Sequence, residues 1–356
     1  MKRREFITTT TLAALAVFYP DSSLSPENNK INKEDPIDNY IKSMPLSEKI
    51  KQLLMYNPKN SGEIVPNSNI ILMGWSFPSG LYEKVKEKTS SHEIGNFISV
   101  DQEGGGVRRI KGSRKFRSTR FPSVAELGKM PEEQVFEEGK KYGAILKEAG
   151  INMLLTSIDA ADPNTKMYRD RRSFGSDVEN VIKRATSYFN GIRDSYQQIT
   201  ILGQHFPTYN VALNTDCSRA LDHSSREKLK EKSKTFFDID TNGFMVSSVT
   251  YPTISNNIAS LDEEITKWAR TKGDDKIFMS DDFRGILRQG NSLEYATIRM
   301  FNTEMDIMLM VPVSYVIRAN SILQGYIKNT KGAEARLNKK VKRILSRKYK
   351  SGLFNY

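Results

Sequence analysis

The sequence has very few of the side chains that bind metal ions or form covalent cross-links. Its 356 residues include one cysteine, Cys217, so no disulfide can form within the chain and a cysteine-rich metal site is excluded. The three histidines, His92, His205 and His223, are too few for a zinc site built from several imidazoles. We therefore expect neither a metal ion nor a cofactor, and any acid–base role of histidine falls to these three residues.

The sequence also has fewer acidic than basic residues. Its 42 Asp and Glu and 54 Lys and Arg give a formal net charge of +12. Such an excess is typical of proteins that bind nucleic acid, anionic polymers or membrane surfaces. However, residues 331–350 hold nine of the basic residues and one acid, Glu334, and so carry +8 of the net charge. Because no nucleic-acid-binding motif accompanies this segment, we predict a solvated basic helix and no nucleic-acid partner.

No apolar run is long enough to span a bilayer, so we expect no stable membrane span. The first 20 residues combine a basic start with a modestly apolar run, which is the layout of an export signal. The pair Arg3 and Arg4 looks like a twin-arginine signal, and an ordinary secretory signal is the alternative. We predict an exported protein, periplasmic or extracellular, with the signal at residues 1–20 and a flexible lead-in at residues 21–43.

Eight short apolar runs recur along the body of the chain, most of them separated by helical patterns. They cover residues 52–55, 70–73, 97–100, 152–155, 199–202, 244–249, 276–279 and 307–311. Continuous apolar runs are typical of strands buried on both faces, and their alternation with helices is typical of parallel βαβ units. Eight such runs predict an α/β fold, a single (β/α)8 TIM barrel over residues 44–356; an open doubly wound sheet is the alternative.

The stretch NFISVDQEGGGVRRI, residues 96–110, joins one of these runs to an acid, three glycines and two arginines. A carboxylate, Asp101, beside a loop without side chains and a cationic pair suits the binding of a polar ligand; a turn with an exposed acid is the alternative. Other predicted strands are also followed by polar residues, namely Asp159, His205, Ser248 and Asp281. A barrel would gather all of these residues on one rim, where such enzymes build their active sites.

Five motifs then occur in the order and spacing of a known family. They are VDQEGG (100–105) with Arg109, FPS (121–123), RSFGSD (172–177), HFP (205–207) and SDD (280–282). On these motifs the chain, from about Met44 to Phe354, resembles single-domain family 3 glycoside hydrolases of the bacterial β-N-acetylhexosaminidase type. The resemblance implies a TIM barrel, a glycan substrate ending in N-acetylglucosamine, often from peptidoglycan, and retaining hydrolysis through a covalent glycosyl-enzyme.

The resemblance also assigns roles to single residues. Asp281 matches the nucleophile, and an ionised carboxylate at the end of a strand can attack the anomeric carbon. Asp159 matches a structural acid behind the site, and a cap at a strand end is its alternative role. The positions that hold the sugar hydroxyls correspond to Asp101, Arg109, Arg172 and His205, whose charge-assisted hydrogen bonds would orient a polyol.

The acid/base region departs from the family pattern. The family run Lys-His-Phe-Pro-Gly-His-Gly, followed by Asp-Ser-His, reads QHFPTYN at residues 204–210 and DCS at residues 216–218. Lysine is replaced by Gln204 and the catalytic histidine by Ser218, while Ser248 and Gly106 replace a further histidine and an arginine. A serine hydroxyl is no general acid near neutral pH, and general acid catalysis contributes roughly 10²- to 10⁴-fold in rate.

Three alternatives stay open for the missing acid: Asp216, His223, or a substrate whose good leaving group needs little acid help. Asp216 is the candidate acid/base if its loop closes and desolvation raises its pKa. His223 is an alternative, although its surroundings resemble the cap of the next helix, and we expect Cys217 to be incidental. Two hypotheses stay open: an exported glycosidase with Asp281 as nucleophile, or a catalytically impaired barrel that binds glycan without turnover.

Overall fold

The computed structural model of the protein describes residues 35–59, 63–65, 67–73, 87, 94–110, 116 and 118–354. The predicted export signal and residues 21–34 of the predicted lead-in lie outside these residues. Within them the chain forms one barrel with helices around it.

Eight parallel strands make up a nearly closed barrel. The described residues contain nine strands: β1 Leu54–Tyr56, β2 Asn69–Leu72, β3 Ile98–Gly104, β4 Val107–Arg108, β5 Met153–Ser157, β6 Thr200–Phe206, β7 Gly243–Val246, β8 Ile277–Ser280 and β9 Met308–Leu309. Strand β4 is antiparallel to β3 and lies outside the barrel, which the other eight strands form. The order around the sheet is β8-β7-β6-β5-β3-β2-β1-β9. A parallel bridge between Met279 and Ile307 joins the two ends. The predicted (β/α)8 barrel is confirmed, with a strand at each of the eight predicted runs.

The helices form the outer layer. They are α1 Pro36–Ser43, α2 Leu46–Gln52, α3 Val124–Leu127, α4 Glu132–Glu148, α5 Lys166–Arg169, α6 Val178–Ser195, α7 Arg226–Asp238, α8 Glu263–Arg270, α9 Phe283–Arg288, α10 Leu293–Phe301, α11 Val313–Asn329 and α12 Ala333–Lys350. Several begin at a residue whose side chain accepts a backbone N–H of the first turn, as Asp177, Ser225 and Ser292 do. Such N-caps stabilise a helix by about 1 kcal/mol and set its first residue.

An aromatic cluster fixes the end of β6, the strand that carries part of the predicted site. The ring of Phe206 stacks on Phe244 of β7 with centroids 5.3 Å apart, and meets Phe236 of α7 edge-on at 5.5 Å. Aromatic pairs of this kind contribute about 0.5–1.5 kcal/mol beyond their buried area. The residues just before Phe206 are therefore held in place from the helix layer.

The basic C-terminal helix α12 differs from its prediction, because part of its basic face is buried. Lys340, Arg343 and Lys348 are 1%, 6% and 0% exposed. Lys348 donates to Oε1 of Gln52 over 2.7 Å, just before β1, and Arg343 pairs with Asp306 over 2.6 Å, just before β9. The prediction of a solvated face is wrong for these residues, which close the barrel at the N-terminal ends of its strands.

A helix also lies before the predicted boundary at Met44. Residues 36–43 of the predicted flexible lead-in form α1, with Ile41 buried. Lys342 of α12 pairs with Asp35 and Asp38 over 3.0 and 2.7 Å. This helix therefore belongs to the layer around the barrel.

Candidate active site

A polar pocket lies at the C-terminal ends of the barrel strands. All six residues proposed from the sequence line it: Asp101, Arg109, Arg172, His205, Asp216 and Asp281. Its volume of about 110 Å³ is below the roughly 300–1,000 Å³ of pockets for drug-sized ligands, so the enclosed part suits one small moiety. The structure thus brings together residues that are up to 180 positions apart in the chain.

The glycine-rich turn between β3 and β4 places Arg109 beside Asp101. Gly104 has a φ of +73°, and a Cβ there would lie 1.8 Å from the carbonyl oxygen of Pro122, so only glycine fits. Beyond the turn, the backbone N–H of Arg109 donates to Oε1 of Gln102 over 2.7 Å. Nη2 of Arg109 then lies 3.7 Å from Oδ2 of Asp101, and the two form an ion pair in the pocket.

Arg172 is held by Glu103, a residue that the sequence did not single out. Nε and Nη2 of Arg172 donate to the two carboxylate oxygens of Glu103 over 2.6 and 2.9 Å. Burial alone would lower the pKa of Arg172, but the charge and hydrogen bonds of Glu103 outweigh it and raise that pKa. A buried bidentate pair of this kind fixes the guanidinium plane.

Gln204 links this pair to the other wall of the pocket. Its Nε2 donates to Oδ1 of Asp101 over 3.0 Å and also to Oε1 of Glu103. The residue stands where the resemblance expects lysine, so a neutral amide joins two carboxylates. Without a lysine at this position, Arg109 and Arg172 balance the formal charges of Asp101 and Glu103.

Asp159 lies behind the pocket and orients His205. One carboxylate oxygen accepts the backbone N–H of His205 over 2.9 Å and lies 3.3 Å from its Nδ1; the other accepts the N–H of Tyr209 over 2.8 Å. Burial lowers the pKa of His205, but the hydrogen bond and charge of Asp159, with the charge of Asp281, raise it overall. The imidazole is therefore held by Asp159, and the charge of Asp281 also acts on it.

Asp281 follows β8 directly and lies in the pocket wall. Its backbone N–H donates to the carbonyl of Val246 over 3.1 Å, and its Oδ1 accepts the N–H of Asp282 over 2.8 Å. Burial raises the pKa of Asp281 to about 6; the charge of His205 opposes this rise and that of Asp216 adds to it. Asp282 has a different role, because it caps α9 and pairs with Arg284 over 2.6 Å.

Of the three residues Asp216, Cys217 and Ser218, Asp216 lines the pocket. The Ser218 hydroxyl instead donates to the carbonyl of Asn214 over 3.3 Å, and Cys217 is exposed. His223 is exposed beyond the loop, next to Asp222, which accepts the backbone N–H of Ser224 over 2.9 Å. Of the residues considered for proton transfer in this run, the structure therefore brings Asp216 to Asp281.

Two absences concern only the part of the chain that the structure describes. In that part of the chain, no group of three or more His, Cys, Asp or Glu is arranged to hold a metal ion. None of the helices assigned there is long and apolar enough to cross a membrane.

A parallel (β/α)8 barrel with carboxylates and arginines in a pocket at its C-terminal rim has the architecture of a TIM-barrel enzyme. Residues 46–347 match the family described as "Glycosyl hydrolase family 3 N terminal domain". Because this match spans most of the chain, the protein belongs to glycoside hydrolase family 3. Comparison with curated protein sequences gives no match.

Solved structures of similar fold include several bacterial proteins. A β-N-acetylhexosaminidase from Beutenbergia cavernae is 21% identical, with a TM-score of 0.77 over 86% of this chain and 99% of the other. LpqI of M tuberculosis is 20% identical, with a TM-score of 0.78 over 88% of this chain and 96% of the other. A family 3 β-N-acetylglucosaminidase from Paenibacillus is 19% identical, with a TM-score of 0.76 over 88% and 64%. At these identities the likeness concerns the fold.

Proposed function

We propose that the protein removes terminal β-linked N-acetylhexosamine from a cell-wall or related glycan by retaining hydrolysis. The observation that carries the proposal is the pocket in which Asp281 faces the side chains proposed to hold the sugar. Membership of family 3 supports the reaction class. The β-N-acetylhexosaminidases and β-N-acetylglucosaminidases among the structures of similar fold support the choice of sugar.

Some of the pocket residues bind the sugar, and Asp281 reacts with it. The carboxylate of Asp101 accepts hydrogen bonds from sugar hydroxyls, while Arg109 and Arg172 donate them. Asp281 forms a bond to the anomeric carbon as the glycosidic C–O bond breaks, which gives a covalent glycosyl-enzyme with one inversion. Water then attacks the same carbon and releases Asp281, so the second inversion restores the configuration.

Asp216 is our candidate for the proton transfers. In the first step its carboxylic acid gives a proton to the leaving oxygen, and in the second its carboxylate takes one from the attacking water. Asp216 and Asp281 line the same pocket, and the charge of Asp216 adds to the rise that burial causes in the pKa of Asp281. Retaining enzymes keep their two carboxyl groups roughly 5–5.5 Å apart.

Hydrolysis of an aryl β-N-acetylglucosaminide tests the proposal, because an aryl leaving group needs little protonation. The purified protein should release the phenol, and Asp281→Ala should reduce turnover to background. Asp240→Asn, a change at an exposed aspartate on the far end of the barrel, is the matched control and should be fully active. Equal inertness of wild type and Asp281→Ala across a panel of aryl glycosides would refute the proposed reaction.

A glycan-binding barrel without turnover is the second candidate. It is favoured by Gln204 and Ser218, which stand where the resemblance expects a lysine and the catalytic histidine. Calorimetry with N-acetylglucosamine and with muropeptides should then show binding that Asp101→Ala removes, with no product formed. Any turnover that depends on Asp281 excludes this function.

We further propose export to the periplasm or the cell exterior, on the basis of the first 20 residues. Replacing Arg3 and Arg4 by lysine should retain the protein inside the cell if a twin-arginine route is used. Fractionation of cells that carry the wild-type and Lys-Lys forms checks this expectation, and export of both forms to the same extent points to the ordinary secretory signal.

A further inference from the structure

The loop that carries Asp216 is fixed by the phenol group of Tyr209. The phenolic oxygen accepts the backbone N–H of Thr215 over 2.8 Å, lies 3.1 Å from the hydroxyl of Thr215, and donates to the carbonyl of Leu213 over 3.0 Å. The ring is 3% exposed and meets that of His205 edge-on, with centroids 5.2 Å apart. A single buried oxygen thus ties the loop to the wall of the pocket.

Helix α9 holds the same loop from the other side. Nη1 of Arg288 donates to the backbone carbonyl of Asp216 itself. A Cβ on Gly285 would lie 2.9 Å from the carbonyl oxygen of Thr215, so the helix and the loop are in direct contact. The backbone on both sides of the Asp216 side chain is therefore restrained.

The start of the loop is fixed as well, at the positions where this chain departs from Gly-His-Gly. Asn210 donates to Oδ2 of Asp162 over 2.8 Å and accepts the N–H of Asp162 over 2.9 Å. Asp162 also pairs with Lys228 and Lys232 of α7, over 2.8 and 2.7 Å. Two glycines, which would leave the backbone free, are thus replaced by Thr208 and Asn210 around Tyr209.

We propose that Tyr209 is a positioning residue for proton transfer, which keeps the Asp216 carboxyl group at the pocket beside Asp281. This inference rests on the proposed hydrolase function. These restraints are present without substrate, so substrate binding does not bear the entropy of forming them. Tyr209 and Asn210, which stand where the family pattern has Gly-His-Gly, thus build the restraints on the loop that carries Asp216.

Tyr209→Phe tests the role, because it removes the phenolic oxygen and keeps the ring. We expect kcat/KM on a β-linked N-acetylglucosamine disaccharide to fall by about 10- to 10²-fold, the effect of a misplacement on the order of 1 Å. On a dinitrophenyl β-N-acetylglucosaminide, kcat/KM should stay within about twofold of wild type, since it reports the first step and this leaving group needs no acid. The kcat of either substrate also includes the attack of water, for which Asp216 is the proposed base, so kcat/KM is the measure that isolates the acid role.

Two further variants keep the test independent of one substitution. Arg288→Met removes the contact to the Asp216 carbonyl, and Thr215→Val removes a hydroxyl contact of Tyr209; both should lower disaccharide turnover selectively. Asp216→Asn should show the same selectivity in its most severe form, with a loss of about 10²- to 10⁴-fold on the disaccharide. Tyr295→Phe, at an exposed tyrosine of α10, is the matched control and should behave as wild type.

The outcomes separate this inference from the proposed function. Selective loss on the disaccharide, with thermal unfolding of Tyr209→Phe close to that of wild type, supports the positioning role. Equal losses on both substrates in Tyr209→Phe and Arg288→Met show a structural role and overturn the inference while the hydrolase function stands. A wild-type protein that turns over neither substrate overturns the proposed function, and this inference with it.

Discussion

The side-chain amide of Gln204 donates to Oδ1 of Asp101 over 3.0 Å, across the pocket from β6 to β3. The same nitrogen also contacts Glu103, which in turn holds Arg172. The residues proposed to hold the sugar are thus joined by a neutral group where the family pattern has a cation. The positive charge of that lysine is absent from the pocket.

Gln204→Leu should weaken sugar binding and lower stability, because it removes the amide that donates to the carboxylates of both Asp101 and Glu103. The loss of a hydrogen bond to a buried charged group costs roughly 1.5–3 kcal/mol, so we expect a decrease of this order in the free energy of unfolding. Urea denaturation and calorimetry with N-acetylglucosamine measure the two effects. Gln204→Lys is the matched comparison and should bind the sugar at least as tightly as wild type. Tight binding by the leucine variant would contradict a role for this amide.

Turnover should fall as the pH drops below about 6, because Asp281 must be ionised to attack. Burial raises the pKa of Asp281 to about 6, so the carboxylate is protonated and unreactive below that value and ionised above it. The acid limb of kcat/KM on a dinitrophenyl β-N-acetylglucosaminide reports this pKa. In Asp216→Asn the limb should move to lower pH, since the charge of Asp216 contributes to the rise. An acid limb at the same pH in both proteins would show that Asp216 does not act on Asp281.

Gly104→Ala should destabilise the protein, whereas Gly106→Ala should not. The first change places a Cβ at a φ of +73° and within 1.8 Å of the Pro122 carbonyl, while a Cβ at Gly106 meets nothing within 4 Å. Strain of this kind costs on the order of 1–3 kcal/mol, and it would also displace Asp101. Thermal unfolding of both variants provides the measurement. A stable Gly104→Ala protein with unchanged activity would contradict the close approach.

Stability should increase as the pH rises from about 7 to 10, because two buried lysines resist protonation in the folded state. Burial lowers the pKa of Lys348 to about 7, and that of Lys340 also to about 7, whereas an unfolded lysine titrates near 10.4. In this window the unfolded chain binds the extra protons, so each lysine adds up to about 1.4 kcal/mol per pH unit to the free energy of unfolding. Urea denaturation at several pH values should show this rise. Lys348→Met should flatten it, and an unchanged slope would show that Lys348 is charged in the fold.

The sequence predicts the barrel because each strand is a continuous apolar run and most connections contain an amphipathic helix. It predicts the composition of the pocket because parallel strands deliver Asp101, His205 and Asp281 to the same rim. The pairing of Glu103 with Arg172 could not be predicted, because the two residues are 69 positions apart and nothing in a glycine-rich motif shows which way a carboxylate points. The cis peptide between Gln204 and His205 likewise has no sequence signal.

The burial of basic residues in α12 could have been recognised in the sequence. Leu337, Val341 and Ile344 form the apolar stripe of this helix, and Lys340 and Lys348 fall on the same stripe at helical spacing. Basic residues within an apolar stripe indicate burial of their stems, and here of the whole side chain. The total charge of the segment hid this pattern, because a net value does not record which face each residue occupies.

The way the barrel closes has a consequence for the order of events during protein synthesis. Strand β1 needs β9 as a neighbour, and Gln52 just before β1 is bonded to Lys348 of α12, almost 300 residues later. Strand β1 leaves the ribosome early, and one of its edges therefore stays unpaired until β9 and α12 have been synthesised. We expect a nascent chain that stops before residue 306 to stay sensitive to protease and dependent on chaperones, and to become resistant once α12 has been made.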